Sequence, residues 1–171
     1  LTDVTGEALA LSNDPYFNRR PFFFSSHQHT PNDPAKTAVA AVVNGSVAYI
    51  GWNVFADYKQ KGELHMRELV LAAIDRLLPA RERRASATLP DRGVLTATHQ
   101  EAEHRDIVHL LFAYTSLRGK GIEVIEDAVP LREVRVSLRR DAAPGKVYLA
   151  PQMTEIPFEW KEGRVEFTVP E

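Results

Sequence analysis

The 171-residue chain contains no cysteine, which excludes disulfide bonds, thiolate metal ligands and cysteine nucleophiles. It also lacks any apolar run approaching the roughly 20 residues that a helix needs to cross a membrane. The formal net charge is only −2, so composition gives no electrostatic reason to expect an anionic partner. We therefore predict no nucleic-acid partner and no membrane partner.

Catalytic signature motifs are absent as well. The sequence has no G-x-S-x-G elbow, no glycine-rich phosphate loop and no H-E-x-x-H helix. Carboxylates occur throughout, but no spacing places two of them at the roughly 5–10 Å separation that a glycosidase pair requires. We assign no catalytic residue and predict no cofactor. What remains, with 44% hydrophobic and 26% charged residues, is the composition of an ordinary globular protein.

A β-hairpin is the clearest local pattern. Residues 37–43 are apolar and partly β-branched, and Asn44 and Gly45 follow them. Both of these residues tolerate the positive φ that a type I′ turn demands. Residues 46–51 then form the second strand. Because both faces of that strand are nearly apolar, we expect it to be covered on both sides.

One long helix is predicted between Gly62 and Pro79, with Glu63 in its first turn. Its apolar residues recur at three- and four-residue steps, which indicates a buried face. This face comprises Met66, Leu69, Val70, Ala73, Ile74 and Leu77, widened by Leu71 and Leu78. Residues 52–61 lead from strand to helix, and we interpret their three-residue aromatic spacing as core packing. The aromatics concerned are Trp52, Phe55 and Tyr58.

The hydrophobic period changes to two after an arginine-rich segment, residues 79–85, which we interpret as a linker between two modules. In the later strands, apolar Val134, Val136 and Leu138 alternate with polar residues, as in a sheet with one buried and one solvent-exposed face. Short strands with turn residues between them predict an immunoglobulin-like β-sandwich whose central strand is residues 107–114. The candidate strands are 85–89, 94–100, 106–114, 122–126, 133–139, 146–150, 155–160 and 164–169.

An aromatic and histidine-rich segment, residues 16–31, must be buried or must face a partner. On a strand, His27 and His29 point to one face and can share a metal ion. No third ligand is evident nearby, so we favour a structural or hydrogen-bonding pair. A triad of Ser25 or Ser26 with His27 and Asp33 is disfavoured by the surrounding turn residues. Our candidates for interface or ligand contact are Tyr16, Phe22, Phe24, His27, His29, Trp52, Phe55 and Tyr58.

Several stretches together carry a family resemblance: SSHQHTP, the run from AAVVNGSVAYIGWNVF to LAAIDRLLP, IVHLLFAY, IEVIEDAVPLREVRVSLR and VYLAPQ. They resemble the C-terminal half of certain large bacterial glycosidase-like proteins. In those proteins a TIM-barrel hydrolase domain precedes a domain similar to the β-galactosidase trimerisation domain of glycoside hydrolase family 42. That domain resembles flavodoxins and class I glutamine amidotransferases in fold, and a small β-sandwich closes the chain.

The resemblance implies an α/β plus all-β architecture. Residues 1–80 would be the C-terminal portion of the flavodoxin-like domain, with a hairpin and one long helix, and residues 85–171 the sandwich. A complete doubly wound domain needs about five strands with helices between them, more than residues 1–80 supply. The family's catalytic carboxylates lie on the barrel, so none carries over to this chain.

Three hypotheses follow. The first is a non-catalytic fragment that supports oligomerisation and the catalytic barrel, with other domains of its parent chain or a homo-oligomer as partners. The second is a carbohydrate-binding sandwich that uses Trp160, Tyr114 or Tyr148 as a stacking platform. The third is a small hydrolase that uses His27 or His29. The chain has no signal-like stretch, so we expect a cytoplasmic location. Both ends look like cuts in a longer protein.

Overall fold

The computed structural model describes residues 5–15, 22 and 31–171. Of these residues, 46% lie in strands and 16% in helices. The chain divides into two compact units, Leu1–Glu82 and Arg83–Glu171. Every strand pair among the described residues is antiparallel. A β-rich fold with antiparallel sheets, the coarser part of the predicted α/β plus all-β architecture, is therefore confirmed, whereas the flavodoxin-like assignment of the first unit stays a prediction.

The first unit contains a three-stranded sheet in the order β1-β2-β3. The helices α1 and α2 follow the sheet, and α2 contacts all three strands. An ion pair between Arg76 of α2 and Glu7 of β1, 2.8 Å apart, joins the helix to the edge of the sheet. The elements are β1 (Glu7–Pro15), β2 (Asn32–Asn44), β3 (Val47–Ile50), α1 (Val54–Lys61) and α2 (Leu64–Leu77).

The predicted hairpin is formed by β2 and β3, but its turn is shifted by one residue. Asn44 pairs with Val47, so the two loop residues are Gly45 and Ser46. Gly45 has a φ of 57° at the first loop position, where a type II′ turn requires glycine. The type I′ turn predicted at Asn44-Gly45 is therefore wrong, because the strand pairing extends through Asn44.

Residues 54–61 form a helix rather than the predicted linker. Gly62 ends α1 in the left-handed conformation, with its N–H donating to the carbonyl of Tyr58. Glu63 caps α2, and its carboxylate lies 2.6 Å from Nδ1 of His65. This side-chain hydrogen bond lowers the pKa of Glu63 below its usual value. The charged cap therefore stabilises α2 fully at pH values above the usual pKa of a glutamate. This stabilisation is lost as the pH falls through the lowered pKa of Glu63.

The predicted buried face of α2 is too wide. Ala73 is buried, while Met66 and Val70 are half-buried. The exposed members of the predicted face are Leu71, Ile74, Leu77 and Leu78. They are exposed because one sheet covers only part of an apolar arc that extends around most of a helix.

Strand β3 is also less covered than predicted. Tyr49 and Val47 on one of its faces are exposed, so the predicted cover on both sides of that strand is wrong for the described residues.

The second unit is built on a four-stranded sheet in the order β12-β13-β9-β4, with three further hairpins, β5-β6, β7-β8 and β10-β11. The sheet strands are β4 (Ala85–Ala87), β9 (Val134–Arg139), β12 (Phe158–Lys161) and β13 (Arg164–Val169). The hairpin strands are β5 (Val94–Gln100), β6 (Arg105–Leu111), β7 (Ser116–Arg118), β8 (Ile122–Val124), β10 (Val147–Leu149) and β11 (Thr154–Ile156).

The central strands of this sheet are β9 and β13, so the prediction of a central strand at 107–114 is wrong. In the described part of the chain β6 pairs with β5 alone. The predicted period of two in β9 is confirmed, since Val134, Val136 and Leu138 are buried. Val136 and Val165 are each only 2% exposed. The apolar face of β9 and β13 is therefore the core of the second unit.

An ion cluster around Asp106 ties the β5-β6 hairpin to this sheet. The Asp106 side chain is 7% exposed and lies 3.1 Å from Arg84, 3.0 Å from His99 and 3.1 Å from Arg140. Arg84 directly precedes β4, His99 lies on β5, and Arg140 directly follows β9. A carboxylate taken out of water is costly unless it is paired. Its three partners therefore fix the position of β6.

Asp106→Asn should destabilise the second unit, because it removes the charge that compensates two guanidinium groups while keeping the side-chain volume. We expect the free energy of unfolding, measured by urea denaturation, to fall by about 1–3 kcal/mol. The exposed Asp141→Asn is a matched control that should change it by less than about 0.5 kcal/mol. Equal unfolding midpoints for Asp106→Asn and the unmodified chain would contradict this role.

Candidate interaction surfaces

The predicted contact residues of the first unit differ in exposure. Trp52, just before α1, is half-buried. Phe55 and Tyr58 of α1 are 76% and 42% exposed, and Phe22 is 94% exposed. Interpreting the three-residue aromatic spacing as core packing is therefore wrong for Phe55 and Tyr58. The helix presents these rings to solvent, and their role in contacts stays a prediction.

The remaining predicted site residues, Tyr16, Phe24, His27 and His29, lie outside the described residues, as does Ser25. Within residues 5–15, 22 and 31–171, no three histidine, aspartate or glutamate side chains are grouped so that they could hold a metal ion. No helix in the described ranges is long and apolar enough to cross a membrane.

An exposed apolar stripe runs along α2. We define the α2 stripe as Leu64, Leu71 and Ile74, which are 56%, 45% and 42% exposed. Residues seven apart lie on nearly the same side of a helix, and a residue three further on lies beside them. Arg76 pairs with Glu7 of β1, and the buried Ala73, three residues earlier, lies on the same side of the helix; these two residues mark the side that faces the sheet. The stripe therefore lies on the flank of α2 that the sheet does not cover.

The three aromatics proposed as a sugar platform belong to three different parts of the second unit. Trp160 pairs across the strands with the buried Val165, so it lies on the core face of the sheet at the edge strand β12. Tyr114 follows β6 and is exposed, whereas Tyr148 lies on β10. The ammonium group of Lys146 is 5.8 Å from the centre of the Tyr148 ring. Trp160 thus shares a face with the core residues while remaining 37% exposed.

The opposite face of the same sheet carries an open groove of about 930 Å³, which we call the outer groove. Cross-strand partners lie on one face of a sheet and successive residues alternate between faces. The groove therefore has two walls of outward side chains above a floor of backbone. One wall is Ser86, Ser137, Glu166 and Glu159; the other is Thr88, Arg135, Thr168 and Pro157; the floor is Ala87, Val136, Phe167 and Phe158.

Two carboxylates stand side by side in this groove. Glu159 is the direct cross-strand partner of Glu166, and both are exposed. Neither carboxylate, nor the guanidinium of Arg135 on the other wall, has a hydrogen bond or ion pair within the described part of the chain. The sequence alternation predicts that these residues point outward. It does not reveal which of them become neighbours, because that depends on strand order.

No family model and no curated protein matches the chain. Among solved structures, α-L-fucosidase isoenzyme 2 from Paenibacillus thiaminolyticus is similar to it, with 48% sequence identity over 92% of this chain and a TM-score of 0.80. The chain resembles part of a glycosidase. It spans only 24% of the length of that fucosidase chain.

This similarity supports a glycoside-hydrolase-associated domain, the coarser part of the family resemblance. It does not support the more specific part of that resemblance, so the trimerisation domain of glycoside hydrolase family 42 and the amidotransferase-like fold stay predictions.

The Glu159–Glu166 pair yields a stability prediction, because like charges directly opposite on neighbouring strands repel each other. Either Glu159→Gln or Glu166→Gln should raise the free energy of unfolding by about 0.2–1 kcal/mol. The double substitution should add little to either single one, since one neutral partner already removes the repulsion. Urea denaturation of all four proteins measures this coupling. A loss of stability in either single variant would contradict it.

Proposed function

We propose that this chain is a non-catalytic part of a glycosidase and supports a catalytic domain that lies elsewhere in a longer protein. The observation that carries the proposal is the fucosidase similarity, which includes 92% of this chain but 24% of the fucosidase. A match of that kind is expected when a small structural portion is shared with a much larger enzyme. By the same similarity, we propose α-L-fucosides as the substrate class of the whole protein.

The α2 stripe supports a role in contacts. Leu64, Leu71 and Ile74 expose aliphatic surface on one flank of a helix, with the Arg67–Glu68 ion pair close to the two leucines. Exposed apolar surface bordered by polar residues is typical of interaction sites. We propose that this stripe packs against the remainder of the glycosidase, with Phe55 and Tyr58 at the same unit's surface as further contacts. Oligomerisation through a second copy is the related alternative.

The finer family assignment belongs to the same proposal. Residues 1–80 would be part of a trimerisation-like domain with a flavodoxin-like fold, and residues 85–171 an immunoglobulin-like sandwich. The sandwich assignment is favoured by the alternation in β9 and β13, since burial of one face of the sheet is what such a fold requires.

A chimera tests the proposal most sharply. The matching quarter of the Paenibacillus thiaminolyticus fucosidase is replaced by this chain, and hydrolysis of p-nitrophenyl α-L-fucoside is measured. We expect the chimera to be active and the isolated 171-residue chain to show no hydrolysis above background. Leu71→Glu should reduce the soluble active chimera roughly tenfold, because burying an unpaired carboxylate at the contact costs more than about 1.4 kcal/mol.

Ala72→Glu is the matched control, because Ala72 is exposed and lies outside the α2 stripe. Both variants should leave the stability of the isolated chain nearly unchanged, since both side chains are exposed there. Light scattering on the isolated chain separates the two partners: an oligomer that Leu71→Glu dissociates assigns the stripe to a second copy. Hydrolysis by the isolated chain, or equal effects of the two substitutions in the chimera, would overturn the proposal.

A further inference from the structure

We propose that the outer groove of the second unit binds a neutral, hydroxyl-rich saccharide. This inference goes beyond the proposed function, because a support role needs no ligand. It also differs from an aromatic stacking platform, since the ring of Trp160 lies on the opposite, core face of the sheet.

The dimensions of the groove suit such a ligand. Side chains two residues apart along a strand are separated by about 7 Å, and four strands span about 14 Å. The two walls are therefore far enough apart to admit a sugar ring above the backbone floor. A volume of about 930 Å³ also lies within the usual range of small-molecule sites.

The hydrogen-bonding groups of the walls complement hydroxyls in both directions. Glu159 and Glu166 are acceptors only, and Arg135 is a donor only. Ser137 is held in place by Arg164, whose Nε donates to its Oγ at 2.7 Å. The Ser137 hydroxyl proton therefore remains able to donate into the groove. A sugar hydroxyl both donates and accepts, so it can use opposite walls at once.

Other ligand classes fit the groove less well. A divalent cation would find two carboxylates, and no group of three metal-ligating side chains exists among the described residues. An anion drawn to Arg135 would meet the Glu159–Glu166 pair on the facing wall. An apolar ligand would bury polar walls without compensation. A neutral ligand that donates hydrogen bonds to both carboxylates avoids each of these costs.

Binding of hydroxyl groups would also relieve the repulsion within the Glu159–Glu166 pair. Cross-strand carboxylates repel each other and destabilise the free protein. Ligand hydroxyl groups that donate hydrogen bonds to both carboxylates would offset this repulsion. Replacing Glu166 with Gln should therefore weaken ligand binding while leaving the fold intact, which separates loss of the site from loss of structure.

The test is an NMR titration of the ¹⁵N-labelled 171-residue chain with 2′-fucosyllactose. We expect saturable shifts of the floor amides, Val136 and Phe167 among them. Glu166→Gln and Arg135→Gln should each weaken the affinity roughly tenfold, the effect of losing a hydrogen bond to a charged group. Glu155→Gln, on β11 and outside the groove, is the control and should leave the affinity unchanged.

Lactose serves as a second probe, and binding of both sugars at the floor amides supports a saccharide site without fucose selectivity. The proposal is overturned if 2′-fucosyllactose and lactose cause no saturable shifts, or if the groove variants bind as well as the control. Shifts at the floor caused only by calcium chloride or sodium sulfate would overturn it too. None of these results depends on the activity of the chimera, so the two proposals fail separately.

Discussion

The alternation of side chains across β9 and β13 is the constraint on which the second unit depends. A strand sends successive residues to opposite faces, so a single pattern sets both the core and the outer surface. Val136 and Val165 lie on one face and are almost completely buried. Ser137 and Glu166 lie on the other face and line the outer groove. A shift of the register by one residue would exchange the two faces and destroy both.

The first unit depends on a different relation, between the width of an apolar arc and the surface available to cover it. Helix α2 contacts the three-stranded sheet, and Ala73 on that side is buried. The arc continues beyond the sheet to Leu71 and Ile74, which remain exposed. Solvent contact with this aliphatic surface is unfavourable. A partner that covers it would therefore gain binding energy without rearranging the unit.

Local chemistry allowed much of the fold to be predicted from the sequence. The hairpin at Gly45, the helix that follows Gly62 and the period-two pattern of β9 each rest on neighbouring residues, and the structure contains all three. The prediction of the central strand was wrong because an apolar run such as residues 107–111 does not determine how many other strands it pairs with. The helix at 54–61 was missed because aromatic spacing in a short polar segment was interpreted as part of a linker.

The candidate surfaces were less predictable for a physical reason. Leu71 and Ile74 of the α2 stripe were expected to be buried, since hydrophobicity shows which residues favour burial but not how much surface exists to cover them. The outer groove requires Glu159, Arg135 and Ser86 to meet across four strands, and strand order is set by long-range pairing. The family resemblance supplied what periodicity could not, namely the link to glycosidases, and the fucosidase similarity supports that link at the coarse level.

The central claim is that the α2 stripe is a contact surface within a larger glycosidase. Hydrogen–deuterium exchange of the α2 amides, compared between the isolated 171-residue chain and the fucosidase chimera, tests it most directly. Packing of a partner on the stripe should slow exchange along α2 in the chimera, because local opening would then break the new contacts as well. Identical exchange of α2 in both proteins would contradict the account.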